Sequence, residues 1–255
     1  MRRDTSDTPL LALHEITKSF GAVEALKGIS FDIFPGEIIA LVGDNGAGKS
    51  TLVKILSGVH TQTSGEMRLE GETTSSSSPS DALASGIETV YQDLALIEQL
   101  DVADNVYLGR ERYYGGAIGK FLGLLDRKHM RNETAAALSE LHIRIPKPTL
   151  SVRRMSGGQR QAVAIGRGIT WGRKVLLLDE PTAALGVEES EQVLRLIERV
   201  NRENQITFLL VSHNMQDVHR LADRIVVLRQ GSHHATLIKH EVTPQDIVAY
   251  ITGAK

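Results

Sequence analysis

The sequence predicts an α/β fold built on a mostly parallel sheet, with a helical segment inserted into it. Three observations lead there. A short all-apolar strand, Ile38–Val42, runs into a glycine-rich loop and then a helix over about Lys49–Leu56, the opening of an α/β unit. Short apolar strands at Ile87–Tyr91, Val175–Leu178 and Ile206–Val211 alternate with helical patterns, as a parallel sheet covered on both faces requires. Between Asp93 and Arg154 the strand signals stop and helical periodicity takes their place.

The remaining elements follow in order. Leu10–Ile16 reads as a strand, and Ile29, Phe31 and Ile33 alternate with Ser30 and Asp32 before a Pro35-Gly36 turn. Gly71–Ser80 is rich in serine and threonine and reads as a loop. Asp126 is placed to cap a helix running to about His142. Tyr113–Gly123, with glycines at 115, 116, 119 and 123, reads as a flexible connection. Gly157–Ile169 is helical, and Val187–Asn201 is an amphipathic helix. Ile225–Leu228 and Ala235–Leu237 flank Gln230-Gly231 as a hairpin. No internal repeat is visible.

The chain has 255 residues, which suits one large domain or one domain carrying an inserted subdomain. Its formal net charge of −2 supplies no global positive field, so nucleic acid is not an expected partner. The absence of cysteine excludes disulfides, thiolate metal sites and a cysteine nucleophile. Apolar runs such as Ile38–Val42 are far too short to span a bilayer, and Met1–Asp7 lacks the apolar stretch of a signal peptide. Work at a membrane would need other subunits to hold this chain there.

Gly43-Asp44-Asn45-Gly46-Ala47-Gly48-Lys49-Ser50 fits G-x-x-x-x-G-K-[ST]. Its glycines let the backbone turn tightly and aim N–H groups at phosphate oxygens, and the helix start adds its positive end. Lys49 is the charge for β- and γ-phosphates, Ser50 offers a hydroxyl to Mg²⁺, and Thr51 is placed for the α-phosphate. The strand Val175–Leu178 ends in Asp179-Glu180. Asp179 suits a water-mediated hold on Mg²⁺, and Glu180 suits orienting and deprotonating an attacking water. Alone, a carboxylate after a strand is often a helix cap; beside the phosphate loop the pair makes a two-part hydrolytic site.

Met155-Ser156-Gly157-Gly158-Gln159-Arg160 resembles the signature motif of ABC ATPases, with Met155 where Leu is usual. Ser156 and the Gly157 and Gly158 amides stand at a helix start, a second anion site, although an N-cap serine before two glycines would look the same. With the other motifs, the chain is identified as a member of that family from about Leu10 to about Gly253. The resemblance implies a P-loop NTPase, RecA-like, whose mostly parallel sheet has an antiparallel edge, in a single domain over 1–255. Its catalytic core would be 1–92 and 155–255, with a helical subdomain inserted at 93–154. It implies that Gln92 is the Q-loop glutamine sensing Mg²⁺ and the transporter, that His213 contacts the γ-phosphate, and that Phe20 stacks on adenine. The D-loop is Ala183-Ala184-Leu185-Gly186, where the family usually has Asp in place of Gly186.

The closest resemblance is to ATPases of ribose, xylose and fructose importers, carried by Gly43–Thr51, Thr89–Leu96, Asn105–Glu111 and PTAALGVEES at Pro181–Ser190. It implies two copies sandwiching two Mg·ATP, each held by one copy's phosphate loop and the other's Ser156, Gly157, Gly158 and Gln159. It also implies membrane permease subunits docking on the helical insertion, an extracytoplasmic solute-binding protein reached through them, and a peripheral place on the cytoplasmic face of the inner membrane. A transport ATPase for amino acids or an exported lipid, and a soluble ABC protein of ribosomes or DNA, are the alternatives. His233-His234 reads as a solvated surface pair, Trp171 as packing, and Arg153, Arg154, Arg160, Arg167 and Arg173 as a basic cluster facing phosphate and the partner copy.

Overall fold

A computed structural model describes residues 8–74, 77–145, 147–171 and 174–255. The expectations for Met1–Asp7, for Ser75-Ser76 and for Arg173 lie outside the described residues. The chain divides into two compact units: the described residues of Met1–Thr89, Arg173–Pro181 and Ile197–Lys255, and those of Val90–Gly172 and Thr182–Leu196.

In the first unit, β1 (Leu11–Phe20) and β2 (Val23–Ile33) form a hairpin, and β3 (Ile38–Val42) leads through the glycine-rich loop to α1 (Lys49–Leu56). β4 (Ser64–Leu69), β5 (Glu72–Thr74), α2 (Pro79–Ser85) and β6 (Ile87–Val90) follow. Two sheets result. One is antiparallel, in the order β2-β1-β4-β5, with Leu11 opposite both Ile33 and Leu69. The sequence predicts strands at Leu10–Ile16 and Ile29–Ile33, which correspond to β1 and β2, but neither β4 nor β5 nor their assembly into one sheet. Gly71–Ser80, read as a loop, instead holds β5 and the start of α2, where the Ser78 side chain accepts from the Asp81 amide and Pro79 opens the helix.

In the second unit, α3 (Val102–Val106), α4 (Ala117–Phe121), α5 (Arg127–Glu140) and α6 (Gly157–Thr170) cover the stretch where helices are expected. Asp126 caps α5 as anticipated, accepting from the His129 amide at 3.0 Å. Tyr113–Gly123 departs from expectation. It carries α4, and its ends are tied by a bridge between Tyr113 and Leu125. α5 and the segment after it pack on α6 through Leu138 and Ile143, which approach Gly166 so closely that a Cβ there would lie 2.6 and 2.9 Å from their methyls.

The chain then completes the first unit's second sheet with β7 (Val175–Asp179), β8 (Thr207–Val211), β9 (Arg224–Arg229) and β10 (Ser232–Ile238). α7 (Val187–Asn204), α8 (Met215–Leu221) and α9 (Pro244–Thr252) are the remaining helices. The order is β10-β9-β3-β8-β7-β6, with β9, β3, β8 and β7 parallel and β10 antiparallel at the edge. β3 and β8 are buried along their whole length, the mark of a sheet covered on both faces. Leu41, Leu177, Leu209 and Val226 pack with Leu52 and Ile55 of α1 in the core. Truncating one such leucine to Ala costs about 2–5 kcal/mol. Glu37, fully buried, is bound by Arg224 at 2.6 Å and 3.1 Å, fixing the entry to β3 against β9. The carboxyl ends of these parallel strands carry the candidate site.

Candidate functional site

The site is built from the first unit's strand ends. Gly43 stands where a Cβ would run into the Leu228 carbonyl of β9. Gly48 takes φ 104, and a Cβ there would stand 2.6 Å from Leu26 Cδ2 and 3.0 Å from the Ala25 carbonyl, so glycine seats the loop on β2. α1 begins with Gly48 as its cap, and no side chain bonds its first-turn amides. They are donors for an anion, as the motif requires. Lys49 is buried and folds back on the loop, donating from Nζ to the Gly43 carbonyl at 2.6 Å and the Asp44 carbonyl at 3.0 Å. Asp44, Asn45, Gly46 and Ser50 are exposed, Thr51 is half-buried and Ala47 is buried.

Asp179 is the last residue of β7, opposite Val211, and the next amide, of Glu180, donates to the Val211 carbonyl at 2.9 Å. Glu180 is held at φ 53, a left-handed value that costs a glutamate about 1–3 kcal/mol and marks sites where position matters more than strain. Its Oε1 is buried, accepts no hydrogen bond, and lies 3.6 Å from His213 Nε2, whose side chain is 56% exposed. The structure therefore brings Glu180 and His213 together across β7 and β8. Burial holds the Asp179 and Glu180 carboxyls above their ordinary values. Burial also lowers the Lys49 ammonium, against the opposing pull of Glu180, Asp44 and Asp179.

The donor set fits Mg²⁺ with ATP. Asp179 offers a half-buried carboxylate and Ser50 an exposed hydroxyl, and the orphaned buried oxygen of Glu180 is left to face a water. No group of three His, Cys, Asp or Glu among the described residues could hold a metal. The remaining ligands would be phosphate oxygens and water, as this cation prefers. Phe20, at the end of β1 where the hairpin turns, is 45% exposed. Its ring meets His60 edge-on at 5.3 Å, and Lys18 Nζ lies over the ring, 5.1 Å from its centroid.

Gln92 and the signature belong to the second unit. Gln92 is exposed, two residues past the end of β6. The segment behind it is clamped to α6: Arg160 pairs with Glu98 at 3.2 Å, and Arg167 donates to the Ala95 and Leu94 carbonyls at 2.9 and 3.3 Å. The sequence places these two arginines in a phosphate-facing cluster with Arg153, Arg154 and Arg173; in the fold they hold the Leu94–Glu98 backbone and side chain instead. Buried Asn105 fixes the same stretch, accepting from the Ile97 amide at 2.7 Å. Trp171 packs as expected, edge-on to Tyr107 at 5.0 Å.

At the start of α6, Ser156 and Gln159 form a capping box, with Ser156 Oγ accepting from the Gln159 amide at 3.3 Å. Met155 is buried and fills the place of the usual leucine at nearly equal volume. A Cβ on Gly157 would lie 2.7 Å from Leu185 Cδ2, and one on Gly158 would lie 3.1 Å from Glu189 Cβ. The two glycines therefore allow the D-loop and α7 to close on the signature. Glu189, which sequence reasoning does not single out, faces Ser156 and the Gly158 and Gly186 amides, and the Ser156 hydroxyl above all holds its carboxyl below the ordinary value. No spacing rule connects positions 156 and 189, so only the folded chain reveals the contact. A Cβ on Gly186 would meet nothing within 4 Å, so space does not forbid the usual Asp.

The described helices include none long and apolar enough to cross a membrane. Comparison with known proteins matches residues 26–183 to the ABC transporter family. The chain is 47% identical to the fructose import ATP-binding protein FrcA of Rhizobium meliloti, over 97% of this chain and 95% of that one. It is 43% identical to the xylose/arabinose import ATP-binding protein XylG of Sulfolobus acidocaldarius, over 96% and 94%. A ribose import ATP-binding protein of Yersinia pestis is 40% identical, but this chain covers 46% of it. Among solved structures, an ATP-binding cassette captured as a dimer in a post-hydrolysis state with ADP and phosphate superposes with TM-score 0.72 at 26% identity, covering 90% of this chain and 98% of that one. A fold with a phosphate loop, a strand-end carboxylate pair and a signature helix thus coincides with a family match over most of the chain: this protein belongs to the ABC transporter family.

Proposed function

We propose that this chain is the ATP-binding and hydrolysing subunit that energises an ABC importer for a sugar. The hydrolytic part of the reading is carried by Glu180, an unbonded carboxylate oxygen held at a strained backbone position beside His213 and in the field of Lys49. The sugar is supported by relatives named for fructose and for xylose/arabinose import that match nearly the whole chain.

In this reading Lys49 exchanges its two loop carbonyls for β- and γ-phosphate oxygens, and the first-turn amides of α1 take the rest of that charge. Glu180 orients the attacking water and accepts its proton, and His213 contacts the γ-phosphate from the other side. Phe20 stacks on adenine. Ser50, Asp179 and Gln92 would hold Mg²⁺, which neutralises charge developing on the phosphates. Ser156, Gly157, Gly158 and Gln159 receive the γ-phosphate of ATP carried by a second copy. Most of the rate comes from positioning and charge neutralisation. Residues 93–154 form the helical part on which permease subunits dock, with 1–92 and 155–255 as the catalytic core. An extracytoplasmic binding protein acts through the permease, and the subunit sits on the cytoplasmic face of the membrane.

The test is purification from membranes in mild detergent, followed by uptake of labelled sugars into vesicles carrying the purified complex. Co-purifying permease subunits and ATP-dependent sugar uptake are expected. A complex that moves only amino acids or lipids would refute the sugar assignment, and co-purifying ribosomes or DNA would refute transport altogether.

A further inference from the structure

The densest run of exposed apolar side chains among the described residues lies in the second unit, outside every motif used above. Ile118, Phe121, Leu122, Leu124 and Tyr114 are exposed by 72%, 90%, 59%, 52% and 54%. Single exposed apolar residues need no explanation, but five within eleven positions do. The segment is a built excursion. The Tyr114 amide donates to the Leu124 carbonyl at 3.0 Å, the Leu124 amide to the Gly119 carbonyl at 2.8 Å, and the Asp126 amide to the Arg112 carbonyl at 2.8 Å. Gly119 is buried under the excursion, where a Cβ would run into the Tyr114 carbonyl. The backbone is thus closed on itself while its largest apolar side chains point to solvent, an arrangement that costs free energy unless something covers them.

The charges around this finger are one-sided. From Arg112 to Leu125 the charged residues are Arg112 and Lys120, with no aspartate or glutamate. Lys120 is exposed within the apolar run, and Lys128 is exposed just beyond its base. The two acids that flank the run lie at its base and are hydrogen-bonded there: Glu111 accepts from the Gly109 amide at 2.9 Å, and Asp126 from the His129 amide and from Tyr114 of the finger itself. Exposed aromatic and branched side chains with a cation among them complement an apolar layer beneath anionic headgroups.

We propose that the 113–125 finger is a membrane-surface contact that inserts Phe121, Ile118 and Leu122 into the interface of an anionic bilayer, with Lys120 against the headgroups. This adds a lipid contact to the permease contact of the preceding reading. It rests on none of the catalytic assignments.

The test is flotation of the full-length protein with vesicles of phosphatidylcholine alone or mixed with phosphatidylglycerol, at low and high salt. Binding should require the anionic lipid and weaken with salt. Ile118→Ser with Phe121→Ser should lower binding at least about tenfold, from the apolar area withdrawn. Lys120→Gln should lower it about fivefold, the loss of one cation near the surface. Both variants should hydrolyse ATP at the native rate and keep the native melting temperature, because their side chains touch neither core nor site. Failure of the native protein to bind anionic vesicles would overturn the proposal. So would equal binding by the Ile118/Phe121 variant, or loss of permease co-purification by that variant with vesicle binding unchanged, which would make the finger a protein contact. Transport could fail for the catalytic reasons given above while flotation still succeeded, so the two readings are separable.

Discussion

Glu180→Gln separates chemistry from folding, because the structure sets both magnitudes. Glutamine keeps the shape of the side chain and is no worse than glutamate at the left-handed φ of 53. The lost charge breaks little: Oε1 accepts no hydrogen bond, and its 3.6 Å neighbour is the largely exposed His213. With that partner largely exposed and the carboxylate penalised by burial, removing the charge should leave the melting temperature close to native. Turnover should instead fall by about 10²–10⁴, the contribution of a positioned base. At about 1.4 kcal/mol per decade, that is about 3–5 kcal/mol of transition-state stabilisation. Equilibrium ATP binding, phosphate release and thermal melting would be measured together. Since burial raises the Glu180 carboxyl, the native rate should decline on the acid side as pH falls through a value above the ordinary glutamate range. A variant that binds ATP, melts normally and turns over within about threefold of native would refute Glu180 as the base.

Gly48→Ala should abolish ATP binding and destabilise the fold by about 1–3 kcal/mol, because φ 104 and the 2.6 Å approach of Leu26 leave no place for a Cβ; unchanged binding would show that the loop re-forms. Phe20→Ala should weaken ATP and GTP alike by about 1–3 kcal/mol, since stacking reads no base edge. A strong ATP preference that survives the change would place base recognition elsewhere. Gln92→Ala should spare ATP binding and reduce sugar uptake in reconstituted vesicles, and undiminished uptake would remove Gln92 from coupling.

Features written in contiguous residues are legible in the sequence; those made by pairing distant segments are not. The phosphate loop, the Asp179-Glu180 strand end and the Ser156-x-x-Gln159 box are local, and each stands on the element expected for it. Asp126 announces α5 because capping is chemistry of adjacent residues. The antiparallel sheet escapes a sequence reading because Leu11 meets Leu69 across nearly sixty positions, while β4 and β5 are short and polar. α2 hides in a serine-rich run although Ser78, Pro79 and Asp81 are start signals, which the low apolar content obscures. α4 is masked by its glycines, of which Gly119 is there for close approach rather than flexibility. Arg160, Arg167 and Glu189 acquire their roles only from partners at Glu98, Leu94–Ala95 and Ser156, which no periodicity connects to them.

The central claim is that the phosphate loop of one copy meets the signature of another across ATP. The chain has no cysteine, so introduced thiols have no competitors. Asn45→Cys in one tagged batch and Ser156→Cys in a second, both with Glu180→Gln to retain ATP, would be mixed and mildly oxidised. Asn45 is exposed, and its side chain is assigned to neither phosphate nor metal. A disulfide closes only when the Cα atoms come within about 7 Å, which makes the bridge a distance measurement. The account predicts a dimer-sized product carrying both tags, formed with ATP, reduced without it, and scarce in either batch alone. A chain carrying both cysteines that closes its bridge internally, in place of that product, would contradict it.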